Sequence, residues 1–128
     1  MNHLLLPLLA SITFAESVFA SLPVVLIENC YDGDTCQTIN GEKIRLACID
    51  TPELKGKRAN IIPALKARDF LNSLVANREV SIRRITFDRY GRTVAELIKD
   101  EENIQELIVK NGFGKIYRKY SHQCEWSS

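Results

Sequence analysis

Three segments between residues 22 and 49 have apolar patterns typical of β-strands: the first is rich in β-branched residues, and in the last Ile44, Leu46 and Cys48 alternate with Arg45 and Ala47. Asp32-Gly33-Asp34 and Asn40-Gly41 separate these segments, and Asn-Gly favours a hairpin turn because both residues tolerate positive φ. In the last of these segments Arg45 points away from the apolar face, which would let it reach nearby carboxylates. We therefore predict an antiparallel meander of three strands, at Leu22–Glu28, Thr35–Ile39 and Lys43–Ile49.

The second half of the chain predicts two helices and two more strands. Asn103 and Glu106 match a capping box at the start of the second helix. Ile104, Leu107 and Ile108 would form the buried face of that helix. The predicted elements are a helix at Pro63–Val75, strands at Val80–Phe87 and Thr93–Ile98, and a helix that begins at Asn103 and ends before Gly112.

The N-terminus has the pattern of a secretory signal peptide. Leu4–Ala15 is almost wholly apolar but too short to span a bilayer, and Val18-Phe19-Ala20 suits cleavage after Ala20. We therefore expect residues 1–20 to be a cleaved signal peptide and residues 21–128 to form one mature domain that is secreted or periplasmic. The alternatives are a buried N-terminal helix and an uncleaved anchor.

Composition agrees with a single soluble domain and adds an uneven distribution of charge. The 128 residues are 45% hydrophobic and 26% charged, which is typical of a globular protein. Between residues 54 and 92, basic residues greatly outnumber acidic ones, although the formal net charge of the whole chain is only +1. A basic surface beside an acidic site favours a polyanionic partner such as nucleic acid.

The cysteine count points to disulfides. An exported chain meets an oxidising compartment, so four cysteines favour two bonds, and three pairings are possible. Cys30 and Cys36 flank the first turn, where facing strands could bring their Cβ atoms together. This leaves Cys48 to pair with Cys124, which would tie the C-terminal tail to the sheet.

Four acidic residues lie in two short segments on either side of an arginine. Carboxylates that lie close together repel one another, so a fold retains them mainly where a cation or a reaction compensates. A guanidinium beside them suggests that a second partner is anionic, and phosphate is the obvious candidate. The residues concerned are Asp32, Asp34, Arg45, Asp50 and Glu53.

Four strings between about Val24 and Tyr120 resemble the staphylococcal nuclease (thermonuclease) family: YDGDT, IRLACIDTPE, DRYGR and KNGFGKIYRKY. The resemblance implies an α+β fold, a five-stranded OB-type barrel with helices. It also implies Ca²⁺-dependent hydrolysis of DNA and RNA phosphodiesters that leaves 3′-phosphates. Family members commonly continue into a third helix after the segment that matches Tyr120, and we expect this helix to be missing here.

The resemblance assigns a role to each candidate residue. Asp34, Asp50 and the backbone carbonyl of Thr51 would bind Ca²⁺, while Asp32 would order a water molecule of the ion. Glu53 would act as general base, and Arg45 and Arg92 would hold the scissile phosphate. The residues that would contact a terminal phosphate and stack on nucleobases are Arg89, Tyr90, Tyr117 and Tyr120.

These expectations combine into a secreted or periplasmic thermonuclease-like endonuclease with little sequence specificity. Single-stranded or frayed DNA and RNA would be its substrates, Ca²⁺ its cofactor, and the mature protein would be a monomer without membrane contact. One alternative is an OB-fold nucleic-acid-binding module that has lost catalysis. Another is a disulfide-stabilised extracellular interaction domain whose acids bind Ca²⁺ only structurally.

Overall fold

The computed structural model of the protein describes residues 21–128. The predicted signal peptide at residues 1–20 lies outside the described residues, so it stays a prediction. Within the described part, none of the helices has the length and apolar character needed to cross a bilayer.

The described residues contain two α-helices and eight strands, and three of the strands are only two residues long. The helices are α1 (Ile61–Val75) and α2 (Ile104–Lys110). The strands are β1 (Val24–Asp32), β2 (Thr35–Thr38), β3 (Lys43–Leu46), β4 (Ile49–Asp50), β5 (Glu79–Phe87), β6 (Thr93–Lys99), β7 (Glu102–Asn103) and β8 (Lys115–Ile116). This confirms the predicted order of the main elements.

Five of these strands close into a barrel in the order β3–β2–β1–β5–β6. Neighbours in this order are antiparallel, and a parallel pairing of β3 with β6 closes the ring. The first strand is long enough to pair twice, with β5 through its beginning and with β2 through its end. Irregularities in its register at Ile27–Asn29 and Cys30–Asp32 accompany the change of partner. The barrel is the predicted OB-type fold.

Helix α1 covers one side of the barrel. Its buried face consists of Ala64, Ala67, Leu71 and Val75, which lie at helical spacing. Asn72 fixes the helix to β1, because its side chain accepts from the Cys30 N–H at 2.8 Å and donates to the Cys30 carbonyl at 3.0 Å. The helix begins two residues before the predicted Pro63.

Helix α2 begins as its sequence predicted. The Asn103 side chain accepts a hydrogen bond from the Glu106 backbone N–H at 3.0 Å and so caps the helix. The buried face differs from the prediction at two positions, since Gln105 is fully buried and Leu107 only partly. The Gln105 side-chain oxygen accepts from the backbone N–H of Leu97 on β6, whereas its Nε2 has no hydrogen-bond partner among the described residues.

Both predicted disulfides are present. Cys30 is bonded to Cys36 across the β1–β2 hairpin, where the two residues are direct partners in the ladder. Cys48, in the bend between β3 and β4, is bonded to Cys124 near the end of the chain.

The residues after Tyr117 form two short 3₁₀ helices, Arg118–Gln123 and Glu125–Ser127, and the described part contains no third α-helix. Hydrogen bonds to Glu96 on β6 attach this C-terminal segment to the barrel. Its buried carboxylate accepts from the Trp126 indole at 2.9 Å and from Arg83 at 2.7 Å, and Arg83 also donates to the Gln123 carbonyl. The segment is therefore fixed by a disulfide and by a buried polar cluster.

Candidate active site

The candidate site is built around Asp34, a buried residue in the turn between β1 and β2. Its carboxylate accepts hydrogen bonds from the Thr35 hydroxyl at 3.2 Å and from the Thr51 backbone N–H at 3.3 Å. Arg45 on β3 contacts the same oxygen as the Thr51 N–H, with Nη1 3.3 Å from Asp34 Oδ2. Three separate parts of the chain thus meet at one carboxylate.

Asp32 supports Asp34 through the backbone. Its Oδ1 accepts from the Asp34 N–H at 3.0 Å, the short-range bond by which an aspartate stabilises a turn. Burial raises the pKa of Asp34 to about 6, because the lowering effect of Arg45 does not compensate and the Asp32 charge raises this pKa further. Two carboxylates, Asp32 and Asp34, thus lie beside a single guanidinium, and this excess of negative charge would favour an additional cation.

Arg45 holds the bend that leads from β3 to β4. Its guanidinium donates to the Leu46 carbonyl at 2.7 Å and to the Ile49 carbonyl at 2.9 Å. Between these two residues Cys48 has a φ of 70°, a conformation that non-glycine residues rarely adopt. The same arginine thus pairs with Asp34 and stabilises the bend before Asp50.

Thr51 is enclosed between two glycines. A Cβ on Gly33 would lie 2.7 Å from the Ala67 Cβ and 2.9 Å from the Thr51 Cβ. A Cβ on Gly114 would lie 2.9 Å from the Thr51 methyl carbon, so neither glycine has room for a side chain. The Thr51 hydroxyl is buried and has no hydrogen-bond partner among the described residues. Close packing, rather than hydrogen bonding, holds the Thr51 side chain.

A cavity of about 470 Å³ opens beside Thr51, and we call it the acidic cavity. Asp50 and Glu53 line it, Asp50 half-buried at the end of β4 and Glu53 exposed. The Glu53 carbonyl accepts from the Asn60 N–H at 2.9 Å, which closes the basic loop between these two residues. Arg58, Asn60 and Lys115 also line the acidic cavity.

Arg45 lines a second cavity, of about 530 Å³, and we call it the tyrosine cavity. It is lined by arginines and tyrosines from three distant parts of the chain. The residues that bear on function are Arg45, Arg89, Tyr90, Arg92, Tyr117 and Tyr120.

Asp88 orients Arg92 within this cavity. Its Oδ2 accepts from Arg92 Nε at 2.7 Å, and its Oδ1 accepts from the backbone N–H groups of Tyr90 and Arg92, both at 3.0 Å. Partial burial raises the pKa of Asp88, but the hydrogen bonds from Arg92 and Tyr90 outweigh it and hold this pKa below its ordinary value. Asp88 therefore stays ionised and keeps the Arg92 side chain in place.

The aromatic rings of the tyrosine cavity lie close to cations. The guanidinium carbons of Arg89 and Arg92 lie 4.9 Å and 5.4 Å from the centroid of the Tyr90 ring, which is 67% exposed. Tyr117 and Tyr120 meet edge to face at 5.2 Å. These rings are exposed enough to contact a ligand.

The structure thus divides most of the predicted residues between two cavities, and Asp34 lines neither of them. Asp50 and Glu53 line the acidic cavity, and Arg92 and the tyrosines line the other. Asp34 and Arg45 form the junction, because Arg45 lines the tyrosine cavity while Asp34 binds the Thr51 N–H.

Within residues 21–128, no three acidic, histidine or cysteine side chains converge closely enough to hold a metal together. The predicted ligand set requires only two carboxylates and a carbonyl, all of which are oxygen donors. Such a set fits a hard cation that keeps several water ligands, and the buried, incompletely neutralised Asp34 agrees with this fit.

The sequence of the chain matches that of a known protein family. Residues 43–127 match the family described as "Staphylococcal nuclease homologue". The chain belongs to the staphylococcal nuclease family. The match includes Arg45, Asp50, Glu53 and Arg92, and it begins after Asp34.

Similar proteins occur in bacteria and plants. An uncharacterized endonuclease of Haemophilus influenzae is 37% identical over 95 residues, which cover 71% of this chain and 51% of the relative. Endonuclease YncB of Bacillus subtilis is 30% identical over 112 residues, with 80% and 52% covered. Staphylococcal-like nuclease CAN1 of Arabidopsis thaliana is 33% identical over 86 residues, with 65% and 24% covered. The chain spans about half the length of the two bacterial relatives.

In this member of the nuclease family, the residues that position the others are not among those predicted from the sequence. Gly33 lies in the predicted first turn, but its close approach to Thr51, like that of Gly114, has no signal in the sequence. Asp88, which orients Arg92, is also absent from the predicted site residues. Its spacing of four residues from Arg92 was the available signal, since both lie in the string DRYGR.

Proposed function

We propose that this chain is a nuclease that hydrolyses phosphodiester bonds of DNA and RNA with low sequence specificity. The supporting observation is the set of contacts that connects Arg45, in one cavity, with Thr51, in the other, through Asp34. Arg45 lines one cavity together with Arg92 and pairs with Asp34, which is bonded to Thr51 in the wall of the other. A phosphate at this junction would have guanidinium groups on one side and carboxylates on the other.

Ca²⁺ is the proposed cofactor. The Asp34 and Asp50 carboxylates and the Thr51 carbonyl would hold it, and Asp32 would order its water. When bound, the ion would supply positive charge that attracts the phosphate and offsets the charge that develops on it. The packing of Thr51 between Gly33 and Gly114 would keep its carbonyl fixed.

The side chains would divide the hydrolysis between them. Glu53 would take a proton from the attacking water, and Arg45 and Arg92 would donate hydrogen bonds to the phosphate oxygens as negative charge builds up. The water oxygen would form a bond to phosphorus as the bond between phosphorus and the 5′ oxygen breaks, and the leaving oxygen would take a proton from solvent, which leaves a 3′-phosphate and a 5′-hydroxyl. Arg92 would lie near the leaving 5′ oxygen, held there by Asp88.

The tyrosine cavity would hold the nucleotide. Tyr90, Tyr117 and Tyr120 would stack on bases, and Arg89 would contact a terminal phosphate, which favours single-stranded or frayed nucleic acid. Because stacking is available to every base, it would give little sequence preference. We further propose that the protein is secreted or periplasmic, for which the two disulfides provide support, and that it is a monomer.

The test is cleavage of single-stranded DNA by the purified oxidised protein, in Ca²⁺ and in chelator, with product ends identified by mass spectrometry. We expect cleavage in Ca²⁺ only, with 3′-phosphate products. Arg45→Ala and Glu53→Gln should each lower kcat by roughly 10² or more, because each removes a group that acts mainly in the transition state. Arg68→Ala is the matched control, since this arginine is paired with its neighbour Asp69 on the outer face of α1.

The outcomes separate the alternatives. A folded wild type that binds DNA but does not cleave it in Ca²⁺ would favour the non-catalytic binding module. Cleavage that survives both Arg45→Ala and Glu53→Gln would mean that the reaction takes place elsewhere.

A further inference from the structure

Two basic side chains that line the acidic cavity have no role in the proposed hydrolysis. These are Arg58, on the loop closed by Glu53 and Asn60, and Lys115, on β8. Both side chains belong to exposed residues, and neither forms an ion pair with an acidic residue of the described part. Other arginines near the site, such as Arg45 and Arg92, are paired with carboxylates.

Lys115 is placed directly beside the proposed metal ligands. It is the ladder partner of Asp50 in the β4–β8 pair, so the two side chains lie on the same face of the ribbon. Tyr117 follows two residues later, just after β8, and its N–H donates to the Cys48 carbonyl at 2.8 Å. Lys115 lines the acidic cavity and Tyr117 lines the tyrosine cavity, so the segment from Lys115 to Tyr117 connects the two.

We propose that the acidic cavity is a second phosphate-binding subsite, in which Arg58 and Lys115 contact the phosphate next to the scissile one. This subsite lies on the opposite side of the junction from the tyrosine cavity. The ligand is the continuing strand of a single-stranded nucleic acid, and the proposal rests on the proposed function. A nucleic-acid strand that is bound on both sides of the scissile phosphate can be cleaved at internal positions, not only at its ends.

The charges of the cavity allow this arrangement. Asp50 and Glu53 alone would repel a phosphate, but Arg58 and Lys115 match them in number. Arginine and lysine are the residues that most often bind phosphate, and unpaired ones do so without first breaking an ion pair. Each contact to a strand phosphate should also make binding depend on salt.

The test compares two substrates with the purified oxidised protein in Ca²⁺. One is an oligothymidylate, which occupies both cavities, and the other is a thymidine 3′-(nitrophenyl phosphate) diester, which has no phosphate beyond the scissile one. The double variant Arg58→Gln, Lys115→Gln should lower kcat/KM for the oligothymidylate about tenfold and leave the diester within twofold. The slope of log kcat/KM against log salt for the oligothymidylate should become shallower by about 0.7.

Two controls isolate the position of these charges. Lys43→Gln, Lys66→Gln removes the same number of exposed, unpaired charges outside both cavities and should change neither rate by more than twofold. Arg58→Lys, Lys115→Arg keeps the charges and should retain most of the oligothymidylate rate. Thermal unfolding of each variant should match that of the wild type.

The results distinguish this inference from the proposed function. If the wild type cleaves neither substrate, both fail. If the wild type cleaves both substrates and Arg58→Gln, Lys115→Gln affects them equally, or leaves the oligothymidylate unchanged, the subsite is wrong while the proposed function stands.

Discussion

The two sides of the candidate site are fixed by different physical means. On the acidic side, Asp34 and Thr51 are held inside the barrel by hydrogen bonds and by close packing against Gly33 and Gly114. On the tyrosine side, Tyr117 and Tyr120 belong to a C-terminal stretch without strand or α-helix beyond β8. The proposed reaction thus depends on the barrel, whereas much of the proposed substrate contact depends on an attached segment.

Covalent and polar anchors replace regular structure in that segment. The Cys48–Cys124 bond joins its end to the bend beside Arg45, and Glu96 binds Trp126 from the barrel. Because Cys48 lies next to the junction of the cavities, loss of this bond should weaken the tyrosine side first. Substitutions on the tyrosine side should therefore change mainly KM, and substitutions on the acidic side should change mainly kcat.

The largest effect on stability is expected from loss of the long-range disulfide. Cys48→Ser with Cys124→Ser should lower the free energy of unfolding by about 2–5 kcal/mol, since this bond joins residues 76 apart in sequence. KM for oligonucleotides should rise more than kcat falls. Denaturant unfolding and steady-state kinetics measure the two effects.

The matched control is Cys30→Ser with Cys36→Ser, which opens a bond between residues only 6 apart. It should cost less stability and leave KM nearly unchanged, because a short closed loop restricts the unfolded chain less. Equal losses of stability in the two double variants would contradict the account of the C-terminal segment.

An intermediate effect is expected on the acidic side. Gly33→Ala should lower the free energy of unfolding by about 1–3 kcal/mol, because the new methyl group would overlap Ala67 and Thr51. Here kcat should fall more than KM rises, since Thr51 is bonded to Asp34. Gly41→Ala, at positive φ with open space around it, should cost stability through backbone strain but leave kcat unchanged. If kcat of Gly33→Ala stayed at the wild-type value, close packing would not position the site.

The smallest effect on stability is expected at Asp88. Its pKa is lower in the folded state, so its contribution is present above the ordinary pKa of 3.8 and is lost as pH falls through the folded value. Asp88→Asn should therefore be less stable than wild type at pH 7, by under about 1 kcal/mol, and the gap should close in strong acid. Urea unfolding across this pH range tests the sign, and a gap that widens in acid would contradict it.

The sequence was sufficient for elements whose signals are local. The Asn40-Gly41 turn and the Asn103 cap each depend on near neighbours, and both are present. The strands predicted at Val80–Phe87 and Thr93–Ile98 are also present, each within one residue of its predicted bounds. The hairpin position of Cys30 and Cys36 likewise indicated their bond, which left one partner for Cys48. Motifs in register then identified the barrel.

The rest could not be predicted because it depends on contacts between distant residues. The closeness of Gly33 to Ala67 appears only once α1 packs on the barrel. The cluster at Glu96 joins Arg83 and Trp126 across more than one element, and no spacing in the sequence signals it. The division of the site into two cavities is a property of the closed barrel.

The most direct test of the central claim is a crystal structure of the oxidised Glu53→Gln variant with Ca²⁺ and a short oligothymidylate. We predict one phosphate between Arg45 and Arg92, an ion bound by Asp34, Asp50 and the Thr51 carbonyl, and a base against the tyrosines. A phosphate bound away from Arg45, or an ion that contacts neither Asp34 nor Asp50, would contradict a site placed at the junction of the two cavities.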